Sequence, residues 1–114
     1  MQLLVVEDHE DTRYVLAMLL KRWGHEVSEA GTVAEAVALL KEKMFDILVT
    51  DLGLPDGTGH QVLAQATRLG TAKKTIALTA LNSSTPEGER SEGFDHYLTK
   101  PFDAARLKSL LASL

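Results

Sequence analysis

The chain has 114 residues, of which 45% are hydrophobic, and this is the size and composition of one domain with one core. A formal net charge of -4 argues against the clustered basic surface typical of nucleic-acid binding, so direct contact with nucleic acid is not expected. The absence of cysteine excludes disulfides, thiolate metal sites and a cysteine nucleophile, and it suits a reducing, cytoplasmic location.

The first third of the chain predicts a strand followed by a helix. Apolar residues 3–6 indicate a buried strand, and this run is far shorter than the roughly 20 residues of a membrane span. Residues 11–23 carry apolar side chains at helical spacing, and Gly24 ends the predicted helix. The side chains of this helix expected to face the core are Val15, Met18, Leu19 and Tyr14.

The middle of the chain repeats the pattern. A short strand at 26–28 precedes Thr32, which has a glutamate three positions later and therefore predicts the capped start of a second helix. Residues 46–50 are the third predicted strand. The glycine-rich loop 53–59 then leads into a third helix.

The last third contains two more predicted strands, at 75–79 and 96–99, and a final helix capped by Asp103. A further helix is expected between these strands, at residues 82–92. The only apolar residue of that segment is Pro86, so a helix there has nothing to bury. We therefore predict that this helix is short or irregular.

Repeated strand–helix units predict a single α/β domain. Its parallel sheet would be covered by helices on both faces, giving three layers with right-handed crossovers. Ligands of such sheets bind beyond the carboxyl ends of the strands, where the strand order reverses. The polar residues at or just beyond those ends are Glu7, Asp8, Asp51, Thr79 and Lys100.

These residue types predict a site for phosphoryl transfer. Carboxylates a few ångströms apart repel by about 4 kcal/mol per close pair at an effective dielectric constant of about 20, so an acidic cluster requires a cation or raised pKa values. Oxygen ligands favour Mg²⁺, which leaves coordination positions for phosphate oxygens. Lys100 can pair with Asp51 or with a phosphoryl oxygen, while the Thr79 hydroxyl and the Ala80 backbone N–H can donate hydrogen bonds. A carboxylate is then available as the nucleophile.

Four segments in this order resemble the receiver domain of two-component response regulators, over essentially the whole chain. They are VVED at Val5–Asp8, DLGLP at Asp51–Pro55 with Gly59 beyond it, LTA at Leu78–Ala80, and YLTKPF at Tyr97–Phe102. The resemblance implies a flavodoxin-like, doubly wound (βα)5 sheet with strand order 2-1-3-4-5. It covers residues 1–114 as one receiver domain. Because nothing follows the last predicted helix, we expect no output domain, and the domain would either act alone by contact or be part of a larger protein, similar to the receivers of hybrid sensor histidine kinases.

The resemblance also implies a signalling switch rather than an enzyme. Asp51 would accept a phosphoryl group from a phosphohistidine of a partner kinase or histidine phosphotransfer protein. The implied ligands of Mg²⁺ are Glu7, Asp8, Asp51 and the backbone carbonyl of Gly53. The implied partners of the phosphoryl oxygens are Thr79, Ala80 and Lys100.

Tyr97 matches the family's switch aromatic, which turns inward when the Thr79 side chain moves toward the phosphate. Lys100–Pro101 matches a cis peptide bond of the family. The loop 56–59 (DGTG) departs from the family pattern, and we expect it to be looser than usual. The oligomeric state implied is a monomer or a weak homodimer.

Other interpretations of these residues remain open. The acid pair could be an ordinary helix N-terminal cluster, Asp51 a turn residue and Tyr97 a packing residue. A binding module that keeps the fold without phosphorylation is one alternative function. A Mg²⁺-dependent phosphohydrolase with an aspartyl nucleophile is another, but it would need a second acid two residues after Asp51, where Gly53 stands. None of the four histidines has ligand spacing, and none is assigned a role.

Overall fold

The computed structural model of the chain describes residues 1–80, 93–100 and 103–114, in which a parallel sheet lies between two layers of helices. The strands are β1 (Gln2–Val6), β2 (Glu26–Ala30), β3 (Phe45–Asp51), β4 (Gly53–Leu54), β5 (Gly57–Thr58), β6 (Ala72–Ala80) and β7 (His96–Lys100). The helices of the described residues are α1 (Glu10–Arg22), α2 (Val33–Glu42), α3 (Gly59–Leu69) and α4 (Ala104–Ala112).

The main sheet has the order β2-β1-β3-β6-β7, and all its neighbouring strands are parallel. β4 and β5 form a separate antiparallel hairpin. Counted along the chain, the five strands of the main sheet therefore follow the order 2-1-3-4-5, which confirms the predicted flavodoxin-like fold. The order reverses between β1 and β3, so a ligand site is expected beyond the carboxyl ends of these two strands. Segment 82–92, where we predict a short or irregular helix, and Pro101 of the predicted cis bond lie outside the described residues.

The core consists of two apolar layers, one on each face of the sheet. In β1, Leu3 and Val5 pack on one face, and Leu4 and Val6 pack on the other, because successive side chains of a strand point to opposite faces. The first face is covered by α1 and α4 through Leu16, Leu20, Leu107 and Leu111. The second is covered by α2 and α3 through Ala36, Leu40, Val62 and Ala66. Both faces of the sheet are thus buried, which explains the continuous apolar runs of its central strands.

The inward face of α1 differs from the predicted one. Leu16, Ala17 and Leu20 are its buried side chains, and Leu19 is partly buried. Residues 15–20 are apolar without interruption, so their periodicity does not identify which face packs on the sheet. The prediction was wrong for the three side chains that are exposed, which we call the α1 outer patch: Tyr14, Val15 and Met18.

Helix ends follow the predicted capping residues. The Thr32 hydroxyl accepts a hydrogen bond from the Glu35 backbone N–H at 3.1 Å, and Asp103 accepts one from Arg106 at 2.6 Å. The Glu35 carboxylate, however, accepts from the N–H of Gly31 rather than completing a capping box with Thr32.

Trp23 ends α1 and packs against the core beside α4, with the Lys108 Nζ atom 5.8 Å from the centre of its ring. Within residues 1–80, 93–100 and 103–114, every helix is too short or too polar to span a membrane.

Candidate functional site

Three carboxylates meet where the strand order reverses. Glu7 and Asp8 directly follow β1, and Asp51 is the last residue of β3. β1 and β3 are paired up to Val6 and Thr50, so the next residue of each strand lies at the same edge of the sheet. One carboxylate oxygen from each of the three acids lies within 4.8 Å of the other two. The structure therefore brings together the three acids that the sequence placed at this edge.

Lys100 joins two of these acids. Its Nζ atom donates to Glu7 Oε2 at 2.5 Å and to Asp51 Oδ2 at 3.1 Å. β7 is the outermost strand on this side of the sheet, so the lysine side chain reaches across the end of β6 to the acidic cluster. The contact with Asp51 agrees with the sequence interpretation. The shorter contact with Glu7 was not predicted, because the sequence does not show that Glu7 is buried and needs a counter-charge.

Burial and charge shift the ionisation of this pair. Glu7 is only 1% exposed, and its burial raises the pKa of the carboxyl above the ordinary value. The hydrogen bond from Lys100 opposes this shift, and the neighbouring charge of Asp51 adds to it. For Lys100, burial acts to lower the pKa, but the hydrogen bonds and charges of the two carboxylates outweigh it and raise the pKa. The ammonium group is therefore firmly charged and partly neutralises the acidic cluster.

The side-chain hydroxyl of Thr79 is buried. The residue lies one position before the end of β6 and is 3% exposed, and its Oγ1 atom has no hydrogen bond within the described part of the chain. An unpaired buried polar group costs about 1–3 kcal/mol, so its presence at a ligand site needs an explanation. The only other such hydroxyl among the described residues is that of Thr71, at the opposite end of β6. The backbone of Ala80 follows Thr79 and is in register with Lys100.

The segment after Asp51 is a hairpin, and we call residues 53–58 the acceptor hairpin. At its base, the N–H of Gly59 donates to the carbonyl of Leu52 at 2.8 Å. A Cβ atom on Gly59 would lie 2.3 Å from the backbone oxygen of Asp51, so only glycine permits this close approach. At its tip, Asp56 accepts hydrogen bonds from the first two N–H groups of α2. These contacts hold the base and the tip of the hairpin, and the expectation that loop 56–59 is looser than in other receiver domains stays a prediction.

The family assignment rests on both the sequence and the fold. Residues 3–112 match the sequence profile of the response regulator receiver domain. The chain belongs to this family. Among curated proteins, the transcriptional regulatory protein PhoP of Escherichia coli K12 is 34% identical over 115 residues, which covers 100% of this chain and 52% of PhoP. The receiver domain thus spans about half the length of that relative. An uncharacterized 14.6 kDa protein in the sodA1 3′ region of Leptolyngbya boryana is 34% identical over 114 residues, which covers 97% of this chain and 87% of that protein.

Solved receiver domains have the same fold. The receiver domain of sensor histidine kinase PA1611 from Pseudomonas aeruginosa PAO1, which has a magnesium ion coordinated in its active site cleft, superposes with a TM-score of 0.87 and 28% identity. That match covers 98% of this chain and 94% of the other. The receiver domain of the hybrid histidine kinase CckA superposes with a TM-score of 0.82 and 29% identity, covering 99% and 97% of the two chains.

The donor set of this receiver domain fits Mg²⁺. All the candidate side-chain ligands are carboxylate oxygens, which hard cations prefer, and they range from the buried Glu7 to the exposed Asp8. A magnesium ion in such a site usually keeps several waters, and the exposed side of the cluster leaves room for them. Gly53 begins the acceptor hairpin two residues after Asp51, and its backbone carbonyl stays a predicted fourth ligand.

Tyr97, the predicted switch aromatic, lies on the outer strand β7 with its side chain partly exposed. It lines a surface cavity of about 360 Å³ together with Arg106 and Leu110 of α4. Tyr97 is thus 36% exposed beside α4. Its role in switching stays a prediction.

Two residues near the site were missed by sequence reasoning. Arg13 donates from Nη1 to the backbone carbonyl of Glu7 at 2.9 Å and pairs with Glu29 at 3.5 Å. His9 caps α1 by accepting from the N–H of Thr12, and its own N–H donates to the Glu7 carboxylate at 3.1 Å. No local sequence pattern indicates the role of Arg13, because the backbone carbonyl that it contacts lies six positions earlier, in a turn. His9 stands in the N-cap position ahead of two acids, which could have identified it.

Proposed function

We propose that this receiver domain is a phosphoacceptor switch in which Asp51 is the residue phosphorylated. The observation that supports this most directly is the Lys100 ammonium bridging Glu7 and Asp51 within a cluster of three carboxylates. An acid held beside a cation at the edge of a parallel sheet can attack a phosphorus atom without the repulsion that an isolated acidic cluster would impose.

The proposed reaction is the transfer of a phosphoryl group from a phosphohistidine. An Asp51 carboxylate oxygen attacks the phosphorus atom, the P–N bond to the imidazole breaks, and a P–O bond forms to give an acyl phosphate. The electron pair of the broken bond stays on the ring nitrogen, and the phosphohistidine ring, which carries a proton on its other nitrogen, leaves as neutral imidazole. Among the described residues, Lys100 is the hydrogen-bond partner of the Asp51 carboxylate and occupies Oδ2, so Oδ1 is available for attack.

The remaining residues receive the transferred group. Mg²⁺, held by Glu7, Asp8, Asp51 and the Gly53 carbonyl, would neutralise charge on the transferring phosphoryl oxygens. Lys100 would exchange its pairing with Asp51 for a phosphoryl oxygen. The Thr79 hydroxyl and the Ala80 N–H would donate to the other oxygens. Phosphorylation thus supplies the partner that the Thr79 hydroxyl lacks among the described residues.

Switching follows from the same contacts. A phosphoryl group adds a charge of about -1.5 to -2 at neutral pH, and this changes the pairing of Lys100. We propose that Thr79 shifts toward the phosphoryl group and that Tyr97 turns inward into the space released. The two residues lie on adjacent strands, with Thr79 paired to Thr99, two positions after Tyr97 on β7. A movement of Thr79 can therefore affect the position of Tyr97.

Incubation with acetyl phosphate and Mg²⁺ tests the proposed function. We expect intact-mass spectrometry to show one added phosphoryl group per chain and peptide mapping to place it on Asp51. Chelation of Mg²⁺ is expected to lower the labelling rate by about 10²-fold or more, because the charge of the transferring group is then left without its main counter-charge.

The matched control is Asp46→Asn. Asp46 is an acid of the same strand, but it lies at the opposite end of the sheet and accepts from the N–H of Gln2. This variant should label like the parent. Labelling that is independent of Mg²⁺, or that maps to a residue other than Asp51, would contradict the proposal.

The α1 outer patch supports a protein as the phosphoryl donor. α1 begins two residues after Asp8, so Tyr14 lies about one helical turn from the start of the helix and Met18 about two. A surface cavity of about 190 Å³ lies between Tyr14, Met18 and Glu29. Any protein that brings a phosphohistidine to Asp51 must cover the surface next to the acidic cluster. An exposed apolar patch beside a reaction site is typical of a protein-binding surface.

Met18→Glu is expected to separate protein donors from small ones. A charge placed in a buried apolar contact should slow phosphotransfer from a phosphorylated histidine kinase or phosphotransfer protein by about tenfold or more, equivalent to about 1.4 kcal/mol. Labelling by acetyl phosphate should not change, because the acidic cluster is untouched. The test compares the phosphotransfer rates of the parent and of Met18→Glu, each measured with the protein donor and with acetyl phosphate.

Met44→Glu is the matched control for Met18→Glu. Met44 is 55% exposed, comparable to the 46% of Met18, but it precedes β3 at the other end of the sheet. If Met44→Glu slowed transfer from the protein donor as strongly, or if Met18→Glu slowed acetyl phosphate equally, the α1 outer patch would not be the docking surface.

A further inference from the structure

Asp56 links the acceptor hairpin to a helix on one face of the sheet. β4 and β5 pair through Gly53 with Thr58 and Leu54 with Gly57, and the turn between them is formed by Pro55 and Asp56. The Asp56 side chain extends from this turn to the start of α2. The backbone N–H of Val33 donates to its Oδ1 atom at 2.8 Å, and the N–H of Ala34 donates to its Oδ2 atom at 3.1 Å.

These two hydrogen bonds complete the start of α2. The first N–H groups of a helix have no partner within the helix and must be satisfied by other groups. Thr32 satisfies the N–H of Glu35, and Asp56 satisfies those of Val33 and Ala34. Because each carboxylate oxygen takes a different N–H, the contact fixes the orientation of the carboxylate as well as its position. The hydrogen bond from Val33 is the main cause of a lowered pKa of Asp56, with a further contribution from Ala34.

The other end of the acceptor hairpin is fixed independently. Gly59 packs directly against the backbone of Asp51, and Thr58 and Gln61 form a reciprocal capping box at the start of α3. Gly53, in contrast, is exposed, and a Cβ atom built on it would contact nothing within 4 Å. The Gly53 backbone is paired with Thr58 in the hairpin, so its position depends on how the base and the tip of the hairpin are held.

We propose that Asp56 is a positioning residue that holds the Gly53 carbonyl at the metal site formed with Glu7, Asp8 and Asp51. This inference rests on the proposed function, in which that carbonyl is a ligand of Mg²⁺. The hairpin has only two residue pairs, which is too few to be rigid without an external contact. The Asp56 contact with α2 supplies this rigidity from a helix that carries none of the proposed ligands.

Mg²⁺ titration calorimetry, without a phosphoryl donor, tests the proposal on the intact chain. Loss of a group that orients a metal ligand typically weakens metal affinity by about 10- to 100-fold, and we expect about tenfold for Asp56→Ala because it acts through the backbone. Asp56→Asn keeps one acceptor oxygen and should give an intermediate loss. Asp56→Asn also keeps the test decisive if the alanine variant fails to fold.

Thr32→Ala is the matched control. It removes a hydrogen bond from the same helix start, at the N–H of Glu35, but leaves the acceptor hairpin intact. Both alanine variants should lower the melting temperature, while only Asp56→Ala should weaken Mg²⁺ binding. In the metal-free protein, the amide resonances of Gly53 and Gly57 should shift in Asp56→Ala and stay in place in Thr32→Ala.

The outcomes separate this inference from the proposed function. If Asp56→Ala melts earlier but binds Mg²⁺ like the parent, Asp56 is only a helix cap and the inference is overturned. If Thr32→Ala weakens Mg²⁺ binding equally, the effect comes from α2 and the inference is also overturned. A parent chain that binds Mg²⁺ but is never labelled on Asp51 overturns the proposed function, while the comparison of Mg²⁺ affinities still decides the role of Asp56.

Discussion

Asp51→Asn is expected to abolish phosphorylation by acetyl phosphate and by a phosphohistidine donor alike. The amide has nearly the shape of the carboxylate, but it has neither the negative charge nor the nucleophilic oxygen that attacks phosphorus. Removal of a nucleophile typically lowers a rate by on the order of 10³-fold or more, which places labelling below detection by intact-mass spectrometry. Retention of the label by Asp51→Asn would show that another residue is the acceptor.

The same substitution should increase stability when Mg²⁺ is absent. Asp51 raises the pKa of the buried Glu7 by charge repulsion, so removal of this charge moves the pKa of Glu7 back toward its ordinary value. The amide oxygen of the substituted side chain would still accept a hydrogen bond from Lys100. We therefore expect the variant to melt at a higher temperature than the parent without Mg²⁺ and to gain less from added Mg²⁺. Equal Mg²⁺ dependence of the two proteins would contradict the assignment of Asp51 as a ligand.

Lys100→Met is expected to destabilise the fold more than any other single change at the site. The side chain of Glu7 is almost fully buried, and its main counter-charge is the Lys100 ammonium at 2.5 Å. Removal of one partner of a buried ion pair typically costs about 3–5 kcal/mol. Because 26% of the lysine side chain is exposed, we expect a loss at the low end of this range. The free energy of unfolding, measured with urea at neutral pH, should fall by about 3 kcal/mol.

The cost of Lys100→Met should depend on pH in a defined direction. The folded-state pKa of Glu7 lies above its ordinary value of 4.5, and loss of the Lys100 hydrogen bond raises that pKa further. A carboxyl with a raised pKa binds its proton more tightly in the folded than in the unfolded chain. Its contribution to stability is therefore largest below pH 4.5 and is lost as the pH rises toward the folded-state pKa. The free energy of unfolding of Lys100→Met should approach that of the parent at acidic pH. The difference between the two proteins should be largest at neutral and alkaline pH.

A surface lysine provides the control for this prediction. Lys73 pairs with Asp46 at 3.6 Å, and 68% of its side chain is exposed. Exposed ion pairs contribute about 0–1 kcal/mol, so Lys73→Met should have little effect on unfolding and no comparable pH dependence. A Lys100→Met variant as stable as Lys73→Met would show that Glu7 does not need its ion pair.

Much of the fold was accessible from the sequence because it follows local patterns. The apolar runs 3–6 and 46–50 identify buried strands, and the caps at Thr32 and Asp103 locate two helix starts. The rule that parallel strands present their carboxyl ends at one edge was sufficient to bring the acids and Lys100 together. The strand order came from the resemblance to receiver domains and not from periodicity.

The parts that were missed depend on contacts between distant residues. The orientation of α1 could not be read from residues 15–20, since an uninterrupted apolar run offers two equivalent faces. Asp56 is an ordinary turn residue by local pattern, and its partners lie more than twenty positions earlier. The preference of Lys100 for Glu7 likewise depends on how far Glu7 is buried, which no local pattern records.

Trp23 gives this domain a built-in optical probe of one side of the sheet. The chain has a single tryptophan, so its emission spectrum belongs to one known position without any mutagenesis. The indole rests on the layer shared by α1 and α4, under the ammonium group of Lys108. A change in its fluorescence is therefore expected to report rearrangement between those two helices rather than events confined to the α2 and α3 side.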